Sequence, residues 1–217
     1  MSWHRSERAV LADALTAAGP GTPTLCEGWR AEHLAAHVVL RERSLLAAAG
    51  IALPPLTART SRLTLKTGDA ATDPAGFAAL VTQVRQGPPA WSPLRWAGDL
   101  VQHVELFVHA EDVRRGAGPV PARTLPAAQE DALWRALTRS ARLLYRDWLR
   151  THGLVLAAPG RTARVGRRPL DPDADLVLRG SVGELVLHAY GRTSAADVTL
   201  EGAPPAVAQM QADVRRV

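Results

Sequence analysis

Apolar residues recur at three- and four-residue intervals through the first half of the chain and gather into short runs near its end, so helices are expected first and strands later. Residues 3–18, WHRSERAVLADALTAA, carry Val10, Leu11 and Leu15 at helical spacing and stop at Gly19-Pro20, which predicts a first helix. Residues 29–49, WRAEHLAAHVVLRERSLLAAA, place Leu34, Val38 and Leu45 on one face and end at Gly50, which predicts a second. A long connection containing Pro and Thr follows. Asp73 then stands as an N-cap with Pro74 at the first helical position, and this third helix ends near Gly87, before Pro88-Pro89. A fourth is expected over residues 98–115, closed by Gly116. Four antiparallel helices of this size make a bundle.

The pattern changes beyond GAGPVPARTLP, a Pro/Gly-rich hinge. Residues 126–151 predict a long amphipathic helix with Leu133, Ala136, Leu137, Ala141, Leu144 and Trp148 on its buried side. GLVLAAP, TARVG, ADLVLRG and DVTLEG read as short strands bounded by Gly, Pro and Asp; SVGELVLHAYGR, between the third and fourth, reads as a helix, and APPAVAQMQADVRR as a last one. The expected fold class is therefore α+β: an N-terminal four-helix bundle over residues 1–118, then a small α+β domain over 119–217.

Composition narrows the classes of function. A chain of 217 residues, 47% hydrophobic and 22% charged, can bury a substantial core. Lys66 is the single lysine among 26 basic residues, and with the abundance of Ala, Gly and Pro this arginine bias points to a GC-rich genome rather than to selection for polyanion binding. The formal charge is +5, yet the arginines are scattered and usually near an acid. Tyr145 and Tyr190 are the only tyrosines. No aromatic platform interleaved with basic residues is visible, so nucleic acid is not expected as a partner. The N-terminus is charged where a signal peptide needs an apolar core, and no run approaches the ~20 apolar residues of a membrane span, so a cytoplasmic protein without a membrane partner is expected. Cys26, the one cysteine, excludes an internal disulfide and reads as a small buried hydrophobe before a helix more readily than as a nucleophile.

The chemistry concentrates in two helices. VELFVHAEDVRR puts Glu105 and His109 four positions apart with Asp112 three further on, a polar strip between Val101 and Val108 on one side and Leu106 and Val113 on the other. Positions i and i+4 share a helix face, so the carboxylate and imidazole can converge on one ion; the bland alternative is an internal salt bridge from Glu105 to an arginine. In the second helix, EHLAAHV places His33 and His37 four apart, with His37 among Ala35, Ala36, Val38 and Val39, as an imidazole stands when it points inward. His37, Glu105 and His109 would supply three protein ligands from facing helices and leave one position open, the catalytic arrangement. His4, His33, His103, His152 and His188 read as surface or satisfied core residues. Asp112 either orients a ligand from behind or pairs with Arg115.

Two of these segments, LCEGWRAEHLAAHVVLRER at 25–43 and VELFVHAEDVRRG at 104–116, resemble the signatures of the DinB-like metal-binding bundle, in the branch of the mycothiol-dependent maleylpyruvate isomerases. VHAEDVRR is similar to the form found in a shorter actinobacterial group of that superfamily. The family's ligand set, one His from the second helix and a Glu-x-x-x-His pair from the last bundle helix, falls here on His37, Glu105 and His109. LVLRGSVGELVLHAYGRTSAADVTLEG, at 176–202, is similar to the small domain that follows the bundle in the isomerase branch. The resemblance implies a divalent metal, zinc, as cofactor, and mycothiol as the low-molecular-weight thiol it activates toward a small electrophilic substrate. It also implies an arginine of the small domain for an anionic substrate, which falls on Arg192 in YGR; the alternative for Arg192 is a solvated cation at a helix end. No residue beyond these is singled out as catalytic, and the departures from the isomerase leave maleylpyruvate itself unsupported as substrate. Two functions fit: a metal-dependent thiol transferase or isomerase-like enzyme, or a non-catalytic metal-binding module with a structural or sensing role. The fourth coordination position separates them, being closed by protein in the second case.

Overall fold

The computed structural model describes residues 3–44, 54–95, 99–166 and 175–214. The chain divides into two compact units, Met1–Val120 and Pro121–Val217. Together they form an α+β fold, helical in the first unit and with a small sheet in the second.

The first unit contains α1 (Trp3–Ala18), α2 (Ala31–Arg43), α3 (Pro54–Asp69), α4 (Pro74–Gln86), a short 3-10 turn at Pro93–Arg95 and α5 (Asp99–Arg115). α1 packs against α5 and α4, and α2 against α3 and α4. Leu11, Leu15, Leu34, Val38, Val84, Leu106 and Ala110 are fully buried where these helices meet. Each large aliphatic side chain so buried contributes about 1.5–3 kcal/mol relative to exposure. A polar tie runs through the same layer. Arg8 on α1 donates to Glu42 on α2 (2.6 and 3.1 Å) and to the Val84 carbonyl on α4 (2.9 Å), so one buried guanidinium joins three helices.

Local chemistry explains where the helices begin. α4 starts at Asp73, whose carboxylate accepts from the amides of Ala75 and Gly76 (3.0 Å each), with Pro74 following. α2 starts where the His33 ring caps backward: its Nδ1 accepts from the Arg30 amide at 3.0 Å, and the His33 amide donates to the Arg30 carbonyl at 3.0 Å. It stops earlier than its apolar pattern suggests. Ser44 is extended, so the helix ends at Arg43 rather than 49, and Leu45 lies outside the described residues.

The connection expected between the second helix and Asp73 is instead largely helical, as α3. Its inward side is Thr60, Leu63, Thr64, Thr67 and Gly68, a three-to-four period built mostly of threonine and glycine that a hydrophobic pattern does not register. Gly68 lets α3 close onto α2, since a Cβ there would lie 2.4 Å from the His33 ring.

The second unit opens with α6 (Ala127–Leu144), followed by a 3-10 turn at Trp148–Arg150. The single helix expected to 151 thus breaks at Tyr145; Trp148 is buried on the separate turn, its indole donating to the Gly153 carbonyl at 3.2 Å. Four strands follow, β1 (Leu154–Ala158), β2 (Arg161–Val165), β3 (Leu176–Arg179) and β4 (Thr199–Glu201), in the order β2-β1-β3-β4. β1 pairs antiparallel with β2 and parallel with β3; β4 closes the edge antiparallel to β3. α7 (Val182–Ala189) lies between β3 and β4 in the chain, and α8 (Pro204–Val214) ends the unit. Leu133 and Leu137 of α6 and Leu185 of α7 are fully buried, as are Leu154, Leu156, Leu176 and Leu178 of the sheet.

Candidate metal centre

His37 projects from α2 and Glu105 and His109 from α5, and each offers a ligand atom within 4.8 Å of the other two. His109 Nε2 stands 3.8 Å from Glu105 Oε1, and the His37 and His109 rings meet edge-on with centroids 5.4 Å apart. An ion with tetrahedral ligands at about 2.0–2.2 Å spaces its donor atoms about 3.4 Å apart, so the Glu105–His109 pair stands a few tenths of an ångström from that spacing, and a shift of about 1 Å or less at each side chain would let all three share one. His37 and Glu105 are half-buried while His109 is buried, which leaves the cluster reachable from solvent on one side. The donor set of two imidazoles and one carboxylate suits a borderline divalent cation.

Behind His109 stands Asp112. Its carboxylate is wholly buried and accepts from His109 Nδ1 at 2.9 Å and from the Cys26 thiol at 3.3 Å. A proton on Nδ1 leaves the lone pair on Nε2, the nitrogen that faces Glu105. Burial works against the His109 imidazolium and is the largest single influence on it, but Asp112 and then Cys26 together carry the pKa above the ordinary histidine value. Arg115 donates to Glu111 at 2.7 Å.

The other side of Glu105 is also occupied. Its Oε2 pairs with Nη1 of Arg41, a buried residue one turn beyond His37 on α2. This is the internal arginine partner that the sequence offered as the alternative to an ion. It does not exclude one, because Oε1 faces His109 while Oε2 faces Arg41. Burial pulls the Arg41 pKa down to about 10, with Glu42 acting upward and Arg8 downward. Nε and Nη2 of Arg41 are buried without a hydrogen-bond partner among the described residues.

The remaining histidines are engaged elsewhere. His33 uses both nitrogens, one for the α2 cap and the other on Asp69 at 3.1 Å. His103 is buried and stacks near Trp3, His152 stacks on Trp148 at 4.0 Å, and His188 meets the Tyr145 hydroxyl at 3.0 Å. Arg192, in the second unit, donates to the Tyr190 carbonyl at 2.6 Å and follows a helix end closed by Gly191, whose φ is 83°. Two participants escaped the sequence reading. Arg41 carried a usable signal, standing four positions from His37 on the same helix face. Cys26 carried none, since it reaches Asp112 from 86 positions away.

No family profile matches the chain, and no curated protein matches it by sequence. Solved structures do match by shape. The mycothiol-dependent maleylpyruvate isomerase superimposes with a TM-score of 0.54 at 20% identity, covering 92% of this chain and 90% of that one. A histidine-to-alanine variant of the same enzyme gives 0.58 at the same identity and coverage. The chain has the fold of that isomerase over nearly its whole length.

Proposed function

We propose that the protein is a metal-dependent enzyme of the thiol-transferase or isomerase kind, in which His37, Glu105 and His109 hold a divalent ion, zinc by its ligand chemistry. The observation that carries the reading is the convergence of these three side chains with Asp112 bonded to the far nitrogen of His109. The shared fold with a mycothiol-dependent isomerase supports a low-molecular-weight thiol, mycothiol, as co-substrate and a small electrophile as its target. An ion bound there supplies Lewis acidity that turns a thiol into thiolate near neutral pH.

The chain's own residues set the conditions. Glu105 turns Oε1 toward His109, and its pairing with Arg41 through the other oxygen fixes that orientation. Asp112 holds the His109 ring and its tautomer. Half-burial of His37 and Glu105 leaves an approach from solvent, as an open fourth position requires. Arg192 is the candidate of the small domain for an anionic substrate group. The rival reading, a non-catalytic metal module, needs the same three ligands but a protein group closing the fourth position, and it shows no turnover.

Metal analysis of the purified protein, followed by a conjugation screen with mycothiol, tests this. His37→Ala and His109→Ala should each abolish stoichiometric metal binding, and His33→Ala should leave it largely intact because its nitrogens already serve the cap and Asp69. Full occupancy without thiolate absorbance or turnover of any electrophile would favour the module. No metal in any preparation would leave the Arg41–Glu105 pair as the purpose of the carboxylate.

A further inference from the structure

A cleft of about 630 Å³ in the first unit lies outside the ligand set and is lined by Arg5, Arg8, Arg85 and Arg95 together with His4 and Gln102. No carboxylate lines it among the described residues. Two of the guanidiniums are answered nearby: Arg8 by Glu42 at 2.6 Å and Arg85 by Asp13 at 2.7 Å. Arg5 on α1 and Arg95 on the 3-10 turn are exposed and have no carboxylate partner among the described residues. The carbonyls at the α4 terminus do not account for them either, because Arg8 takes that of Val84 and Arg43 that of Gly87.

Like charges converging on one concavity repel each other and focus a positive potential into it, an arrangement that an anion relieves. We propose that this cleft binds the anionic group of a small molecule, a carboxylate or phosphate, held by Arg5 and Arg95 through charge-assisted bonds while Arg8 and Arg85 set the background charge. The site adjoins the candidate centre through the fold: Gln102 stands one turn before Glu105 on α5, and Glu42, the partner of Arg8, directly follows Arg41 on α2. The proposal does not depend on an ion being bound.

The test is calorimetric titration of the full-length, metal-free protein with malonate and, separately, with inorganic phosphate at low ionic strength. Saturable binding with a dissociation constant on the order of 1 mM or tighter is expected. Arg5→Gln combined with Arg95→Gln should weaken it at least about tenfold, while Arg59→Gln with Arg142→Gln, two exposed arginines removed elsewhere, should leave it unchanged. The anion that binds more tightly tells a carboxylate handle from a phosphate one. Failure of both anions to saturate, or equal loss in the two double variants, overturns the proposal. So does tight, steeply salt-dependent binding of a single-stranded oligonucleotide in preference to either small anion. Metal affinity of the Arg5/Arg95 variant, measured by chelator competition, should match the parent, so the anion site and the metal reading fail independently.

Discussion

Asp112 concentrates several constraints in one residue. Its side chain bonds His109 and Cys26, and its carbonyl accepts the Leu25 amide at 3.0 Å, so the α5 helix, a candidate ligand and the loop before α2 meet there. Asp112→Asn keeps the shape and removes the charge that makes the His109 imidazole more basic. Metal affinity should fall by about 10–100-fold, read by competition with a chromophoric chelator, with little change in secondary structure. An unchanged affinity would mean that Asp112 serves packing alone. His188 makes a different residue-level claim. Burial lowers its pKa to about 4, and the Tyr145 hydroxyl, which needs an acceptor, finds one in Nδ1 of the neutral ring. The unfolded chain takes up that proton near pH 6.5 and the folded one only near 4, so stability rises with pH through this window. The contribution is fully present above pH 6.5 and is lost as pH falls toward 4, about 3 kcal/mol in all. Denaturant midpoints at pH 7.5 and 4.5 should differ by less in His188→Leu than in the parent.

At the scale of elements, the closest backbone approach at a described glycine is between the end of α5 and the loop that leads into α2. A Cβ at Gly116 would lie 2.1 Å from the Pro23 carbonyl oxygen and 2.4 Å from Thr24 Cα, both backbone atoms that cannot swing away. Gly116→Ala should therefore cost about 1–3 kcal/mol of stability, seen as a lower urea midpoint, and should weaken metal binding by pushing the loop off Asp112. A stable variant with parental affinity would show that the loop yields without cost. The sequence announced this glycine as a helix stop, for the right position and an incomplete reason: it ends the helix and also admits another segment. Elements marked by aliphatic spacing or by a cap, such as α1 and α4, were legible because the signal is local. α3 was not, because its inward stripe is mostly threonine and glycine, with Gly68 against the His33 ring. The break after Leu144 was hidden because Trp148 continues the apolar period while sitting on a separate turn. Of the candidate centre, the Glu105 and His109 pair was readable from i,i+4 spacing, and His37 from its apolar neighbours and the resemblance. Cys26 became visible only through a contact between distant segments.

For the whole molecule, the change of pattern around residues 116–126 marks an expected boundary, and each of the two compact units buries leucines of its own. Neither core includes the candidate ion. The first is assembled from apolar helix faces and the Arg8–Glu42 tie, and Glu105 already has a cationic neighbour in Arg41. Its carboxylate is therefore not left bare without metal, unlike the ligands of small domains that fold only when loaded. Exhaustive chelation should leave helical circular dichroism intact and unfolding cooperative. Collapse of the helical signal on chelation would contradict this. Arg41→Met should make the metal-free protein less stable while metal restores it. On the proposed metal reading, the pairing of Arg41 with Glu105 would make folding and loading separate events: chains finished without the ion would keep their shape and take it up later.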